Sequence, residues 1–342
     1  MAASPVTSPD SSPLAEMRPR PQAAGFLAAS GWGDALVSPL AGDASFRRYF
    51  RVGDGVRQAV LMDAPPEHED VRPFAAMSGW LRDAGFAAPE IFARDDKQGF
   101  LLIEDFGDRL LGPELAAGHA DETASYTAAI ELLAELHRAA PPAFLAPYDR
   151  AQLLREVALF PQWYAKAVGV EVDDARFNAA WDAVLTPVLA ETLARPVVTL
   201  RDYHVENLLL LDRPGVQSLG LLDFQDALAG HPGYDLVSLL QDARRDVPPA
   251  LERAMFHHFT ACADIDPGTL RAAYEVLGAQ RNVKILGIFV RLRDRDGRKG
   301  YVERLPRVWG YLERNFAHPA LQPVKQWFDQ HIPQAERAAR WK

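Results

Sequence analysis

The sequence predicts an α+β chain in two lobes, a small antiparallel β-sheet lobe at the amino-terminal end and a mainly helical lobe after it. Three observations predict this. The 342 residues exceed the roughly 100–200 residues of one ordinary domain. Alternating apolar residues and glycine turns crowd into residues 40–103, and period-two alternation marks strands. Beyond that stretch apolar residues recur at spacings of three and four, which marks helix. The expected divisions are a disordered tail over 1–21, a first lobe over 22–107 and a second over 108–342.

Each element has its own signal. Met1 to Pro13 is rich in Ser, Pro and Ala and lacks a basic start followed by an apolar stretch, so it reads as a tail and not as a secretory signal. Gly42-Asp43-Ala44-Ser45 forms a turn before Phe46 to Val52, and Gly53-Asp54-Gly55 turns the chain into Gln58 to Met62. Together these make a β-hairpin. Pro73 to Ala84 places Phe74, Met77, Trp80 and Leu81 on one helical face. Pro89 to Ala93 and Phe100 to Ile103 read as two further strands. In the second lobe, Tyr126, Ile130, Leu133 and Leu136 stripe a core helix over Asp121 to Arg138. Val197 to Leu200, Leu208 to Leu211 and Leu219 to Leu222 are short strands, which puts several acidic residues at the ends of a small hairpin. Helices resume at Tyr234.

Bulk chemistry narrows the function. A net charge of −9 opposes binding to nucleic acid or to an anionic membrane surface, since both need clustered positive charge. The single cysteine, Cys262, excludes an intramolecular disulfide and a cysteine metal cluster, so a reducing cytoplasm is the expected setting. No apolar run reaches the length of about 18 residues that a membrane helix needs.

Two acidic clusters carry chemistry, Arg201-Asp202-Tyr203-His204-Val205-Glu206-Asn207 and Asp223-Phe224-Gln225. Phosphoryl transfer needs a group that orients and accepts the proton of the attacking hydroxyl, together with hard oxygen ligands for a metal on the phosphates. The spacing of Asp202 and Asn207 turns the chain, and Asp223 at the end of a strand returns to the same point. Asp202 is the expected base; Asn207 and Asp223 are the expected Mg2+ ligands.

Arg201-Asp202 with Asn207, then Asp223-Phe224-Gln225, resemble the catalytic loop and metal motif of the protein-kinase-like fold. The absence of an activation segment and the stretch His231-Pro232-Gly233-Tyr234-Asp235-Leu236 resemble its aminoglycoside phosphotransferase branch, which acts on small molecules. Gly42 to Tyr49, Met62 to Pro66, Leu222 to Ala227 and Gly287 to Leu292 are similar to bacterial anomeric sugar kinases of that branch, acting on N-acetylmuramate and N-acetylglucosamine. The resemblance implies ATP and Mg2+ as cofactors, a small amino sugar as acceptor, and a place in cell-wall recycling. It also implies nucleotide contacts at Gly42 and Ser45, whose alternative is a plain hairpin turn, and at Glu104 to Phe106 as a hinge, whose alternative is a plain linker. His204 is read as stabilising the loop or meeting substrate, and Asp235 as a prop for the loop.

The chain departs from the kinase pattern in one place. Between Gly25 and Gly107 the only lysine is Lys97, in a polar turn, and Pro73 to Ala84 holds no glutamate, so the strand lysine and its helix partner are both missing. Either the chemistry is lost, or an arginine among Arg47, Arg48, Arg51 and Arg72 takes the phosphates, a role its charged planar fork suits. Alternation predicts Arg47 and Arg51 on one face and Arg48 on the other. On the acceptor side Trp163 suits a sugar face and Glu156 its hydroxyls, with helix packing as the alternative. The basic stretch Arg281 to Arg307, with Arg281, Lys284, Arg291, Arg293, Arg295, Arg298 and Lys299 in it and Asp294 and Asp296 offsetting part of the charge, suits the lactyl carboxylate of N-acetylmuramate, with a solvated face as the alternative.

Overall fold

The computed structural model describes residues 17–42 and 46–341. The chain divides into two compact units, Met1–Asp108 and Arg109–Lys342.

The first unit contains α1 (Gln22–Ala29), β1 (Leu36–Gly42), β2 (Arg48–Gly53), β3 (Gln58–Asp63), α2 (Arg72–Asp83), β4 (Ile91–Asp95) and β5 (Phe100–Ile103). The strands form one sheet in the order β1-β2-β3-β5-β4, with every neighbouring pair antiparallel. Alternation turns Phe50, Val52, Ala59, Leu61, Phe100 and Leu102 onto one core, which Phe26, Leu27 and Trp32 complete. The β2–β3 hairpin, α2, β4 and β5 lie where the sequence pattern puts them. α1 and β1 do not announce themselves: α1 has no side-chain cap, and β1 is an edge strand with Pro39 beside a register break, a position where proline is tolerated. Residues 1–16 and the turn residues 43–45 lie outside the described residues. Arg20, within the expected tail, is anchored: its backbone N–H and its Nε donate to Asp63 at 2.9 and 2.6 Å, and its guanidinium lies 4.5 Å over the Phe100 ring.

The second unit contains α3 (Leu111–Ala116), α4 (Glu122–Leu136), α5 (Arg150–Val157), a π-helical turn (Phe160–Ala165), α6 (Asp174–Ala194), β6 (Val197–Thr199), β7 (Leu208–Leu210), β8 (Leu219–Leu221), β9 (Leu228–Gly230), α7 (Gly233–Leu240), α8 (Pro249–Ala263), α9 (Pro267–Asp294), α10 (Leu305–Asn315) and α11 (Gln322–His331). Carboxylate caps start several helices. Asp121, Asp149 and Asp266 accept from the backbone of Ala124, Gln152 and Thr269, each satisfying an otherwise orphaned N–H. The core gathers Phe160, Tyr164, Phe177, Trp181, Trp309 and Phe328 around α9. Gly287 lets α9 approach closely, since a Cβ there would stand 2.4 Å from the Leu159 carbonyl oxygen. The wide turn that follows Leu159 includes Pro161, which has no N–H for the regular ladder.

The three short strands expected here are present, and a fourth, β9, is not among those expected. β7 and β8 form the hairpin, while β6 pairs with β9, making two separate two-stranded sheets among the described residues. β9 is three residues long, too short for its alternation to stand out from the loop around it.

Candidate active site

The loop after β6 is built by its backbone first. The N–H groups of Leu200 and Arg201 donate to the Asp235 carboxylate at 2.6 and 2.8 Å, and Asp235 on α7 is fully buried. Asp235 therefore props the loop. Burial pushes its carboxyl up to about 7, against the pull of those two N–H groups. Arg201 has φ 73°, a left-handed conformation that a non-glycine residue occupies at a cost of about 1–3 kcal/mol when its surroundings force it. The Ser238 hydroxyl, 3.4 Å from the Arg201 carbonyl, adds a further restraint.

That bend presents Asp202. Its side chain is 42% exposed, and Arg281 Nη2 stands 3.9 Å from its Oδ1. Crowding by protein raises the carboxyl's pKa, but Lys284 and then Arg281 outweigh this and hold it below the usual aspartate value. Asn207 closes the loop by donating from Nδ2 to the Asp202 carbonyl at 2.9 Å. Its backbone carbonyl accepts from Leu222 N–H at 3.0 Å, tying the loop to the end of β8. Asp223 follows with φ 57°, its Oδ2 3.4 Å from Asn207 Nδ2 and its Oδ1 accepting from Gln225 Nε2 at 2.8 Å. Asp202, Asn207 and Asp223 are thus brought together by three bonds, one within the loop and two that tie Asn207 to the residues following β8.

The donor set fits a hard divalent cation. With Nδ2 committed to the Asp202 carbonyl, Asn207 has Oδ1 as its remaining side-chain ligand, beside the Asp223 carboxylate. Among the described residues no cluster of three or more His, Cys, Asp or Glu side chains is arranged to hold a metal. A cation such as Mg2+ needs only one or two protein oxygens, with phosphates and water completing its shell, and Asn207 and Asp223 could supply these.

Glu156 corrects the sequence reading. It is 5% exposed and both oxygens are occupied: Oε1 meets Arg201 at 2.5 Å, Lys284 at 3.2 Å and Gln152 at 3.2 Å, and Oε2 meets Tyr148 at 2.5 Å and Gln280 at 3.1 Å. A saturated, buried carboxylate has no lone pair left for a sugar hydroxyl. Burial works against its charge, but Lys284 and Arg201 prevail and hold it at about 2. His204 is 2% exposed, and burial keeps its ring neutral, well below the ordinary histidine value. It lies 3.4 Å from Asn207 Nδ2, so it belongs to the loop's support. Trp163 packs against the helical core, which is its packing alternative. Arg291 is not among these groups; on α9 it stands about 15 Å along and about 80° around from Arg281. Within the basic stretch it is Arg281 that stands beside Asp202 and Lys284 beside Glu156, three residues apart on one face of that helix.

In the first unit Gly42 ends β1, and Ser45 falls outside the described residues. Arg47 lies just before β2, 3.9 Å from Glu69. Arg48 donates to the buried Asp63 at 2.7 Å. Arg51 pairs across the sheet with Val60, and its guanidinium grips Asp105 at 2.6 Å and Asp108 at 2.9 Å. Arg72 pairs with Asp70 at 2.8 Å. Glu104 Oε2 accepts from Glu90 N–H at 3.2 Å, which fastens the segment to the start of β4, and Phe106 follows in it.

Comparison with known proteins agrees with this architecture. Residues 36–277 match the phosphotransferase enzyme family. An N-acetylmuramate/N-acetylglucosamine kinase of Caulobacter vibrioides is 37% identical over 349 residues, with 91% of this chain and 96% of that one covered. A protein of the same name from Pseudomonas aeruginosa is 39% identical over 302 residues, with 84% and 87% covered. Among solved structures, a choline/ethanolamine kinase family protein from Mesorhizobium loti matches with a TM-score of 0.60 at 15% identity, covering 89% of this chain and 98% of that one. The fold is protein-kinase-like. No helix among the described residues is long and apolar enough to cross a membrane.

Proposed function

The chain belongs to the phosphotransferase enzyme family, and from that premise we propose that it transfers the γ-phosphoryl group of ATP to the anomeric C1 hydroxyl of N-acetylmuramate and N-acetylglucosamine. As a phosphotransferase it takes an alcohol group as acceptor. The observation that carries the reading is the convergence of Asp202, Asn207 and Asp223 on one loop-and-hairpin junction. The specific sugars are supported by two relatives named for them and matched over most of their length. The product is a sugar α-1-phosphate made in the cytoplasm from recycled cell-wall sugars.

In this reading Asp202 accepts a hydrogen bond from the C1 hydroxyl and holds it in line with the γ-phosphorus. The C1 oxygen bonds to phosphorus as the bond to the β–γ bridging oxygen breaks; the hydroxyl proton passes to Asp202 and ADP leaves. Asn207 and Asp223 would hold Mg2+, which when bound neutralises charge on the phosphates. Arg281 and Lys284 keep Asp202 ionised. In the first unit the proposed nucleotide contacts are Gly42, Ser45, Arg47 and Arg48, with Glu104 and Phe106 for adenine.

Two measurements test this. The phosphorus spectrum of the product should show a phosphomonoester coupled to the single anomeric proton. Coupling to a methylene pair instead means phosphorylation at C6 and removes the anomeric assignment. Replacing Arg47, Arg48, Arg51 and Arg72 singly by Ala should raise the KM for ATP severalfold for at least one of them; four unchanged values reject the arginine replacement. A second reading, nucleotide binding without turnover, rests on the absent strand lysine and on the carboxylate partners of Arg48, Arg51 and Arg72. It requires ATP binding with no ADP release for any acceptor.

A further inference from the structure

Beside Asp202 the helical unit holds a guanidinium that the described residues leave incompletely bonded. Arg281 on α9 has a side chain only 5% exposed. Its Nη2 is 3.9 Å from Asp202 Oδ1, beyond hydrogen-bond reach, and its Nη1 is buried with no partner among the described residues. Other arginines of this unit meet acceptors through their guanidinium ends: Arg201 is bonded to Glu156 and Asp226, Arg245 to Glu122, and Arg307 to Asp246 and Ala243, and of these three only the Nε of Arg201 and of Arg245 is left buried and unpartnered among the described residues. A buried charged donor without an acceptor is unfavourable, so this one points to a ligand.

A second cation stands with it. Arg244, whose side chain is 29% exposed, approaches Asp242 at 4.0 Å, again too far for a hydrogen bond, and the Asp242 Oδ2 atom is itself buried and unpartnered. Arg244 and Arg281 both act on Asp202, on His204 and on Asp242, which places the two guanidinium groups around the same acidic centre. Two cations flanking the proposed base oppose a polycationic acceptor and favour an anionic one.

We propose that Arg281, assisted by Arg244, recognises the carboxylate of the acceptor, so that the preferred substrate class is an N-acetylated amino sugar carrying a carboxyalkyl ether. The inference rests on the sugar-kinase reading above and specifies which of its two sugars the site is built for. It also narrows to Arg281 the role that sequence density gave to the whole basic stretch. N-acetylmuramate and N-acetylglucosamine differ by that carboxyl-bearing ether, and the methyl ester of N-acetylmuramate keeps its shape without the charge.

The experiment measures kcat/KM for these three sugars with wild type, Arg281→Gln, Arg281→Lys and Arg244→Gln, using the full chain and ADP release. Wild type should favour N-acetylmuramate over its methyl ester by about tenfold or more, the size of one charge-assisted pair. Arg281→Gln should bring that ratio close to one, mainly through KM, with Arg281→Lys restoring part of it and Arg244→Gln lowering it less. If Arg281→Gln does not fold, the Lys variant and Arg244→Gln still report the ratio. Turnover with an unchanged acid-to-ester ratio in these variants overturns this proposal alone, because an arginine that only positions Asp202 lowers all three sugars together. No turnover of any of the sugars by wild type overturns the functional reading and this proposal with it.

Discussion

Asp202→Asn is expected to lower kcat by about a thousandfold, within the range for removing a positioned general base, while ATP binding measured by calorimetry stays within about threefold of wild type. The substitution keeps the size of the side chain, so the loop geometry set by Asp235 and by the Asn207 bond to the Asp202 carbonyl survives it. What it removes is the proton acceptor and the negative charge that Arg281 and Lys284 face. The pH profile gives an independent check. A base works when deprotonated, and the pKa of Asp202 is held below the ordinary aspartate value, so its acid limb in kcat/KM lies below the usual carboxylate range. Lys284→Met, which removes the largest of the favourable charges, should move that limb upward. Normal turnover by Asp202→Asn would remove the assignment.

The legibility of this site divides along a physical line. Asp202, Asn207 and Asp223 could be read because they stand in two short stretches, each following a β-strand-like run, and the chemistry of a kinase asks for those residue types in that order. The β2–β3 hairpin could be read for the same reason: its signal is local, in glycine turns and alternation. α1 and β1 could not, because an uncapped helix of eight residues and a proline-bearing edge strand are stabilised by tertiary packing and not by their own pattern. Glu156 shows the limit most clearly. Its partners Tyr148, Arg201 and the α9 pair Gln280 and Lys284 come from three separate parts of the chain, and no spacing rule connects those parts to one another. Composition identified the basic stretch on α9, but not how far along the helix the site extends: Arg291 shares nearly the same face as Lys284 and is removed from the site by the two turns, about 10 Å, between them.

Removing Glu156 should therefore damage both stability and catalysis. Glu156→Ala leaves Arg201 and Lys284, 16% and 13% exposed, as buried cations without their shared carboxylate, a change that typically costs about 3–5 kcal/mol. For a domain of this size that is a drop of about 10 °C in Tm. Catalysis should fall as well, by about tenfold or more, because Arg201 occupies its left-handed conformation while its guanidinium is tied to Glu156, and Asp202 is the next residue. The pH dependence has a definite sign. The Glu156 carboxyl sits at about 2 in the folded chain against an ordinary 4.5, so its contribution, about 3 kcal/mol for a depression of that size, is present above pH 4.5 and lost as pH falls toward 2. Wild-type Tm should drop through that window, and Glu156→Ala should drop less. Arg201→Gly separates the two effects: glycine accepts the positive φ without strain and removes the guanidinium, so Glu156→Ala should cost less in that background, by about 1–3 kcal/mol of coupling. Additive losses in the double variant would mean that Glu156 stabilises the helices around it without holding the catalytic loop.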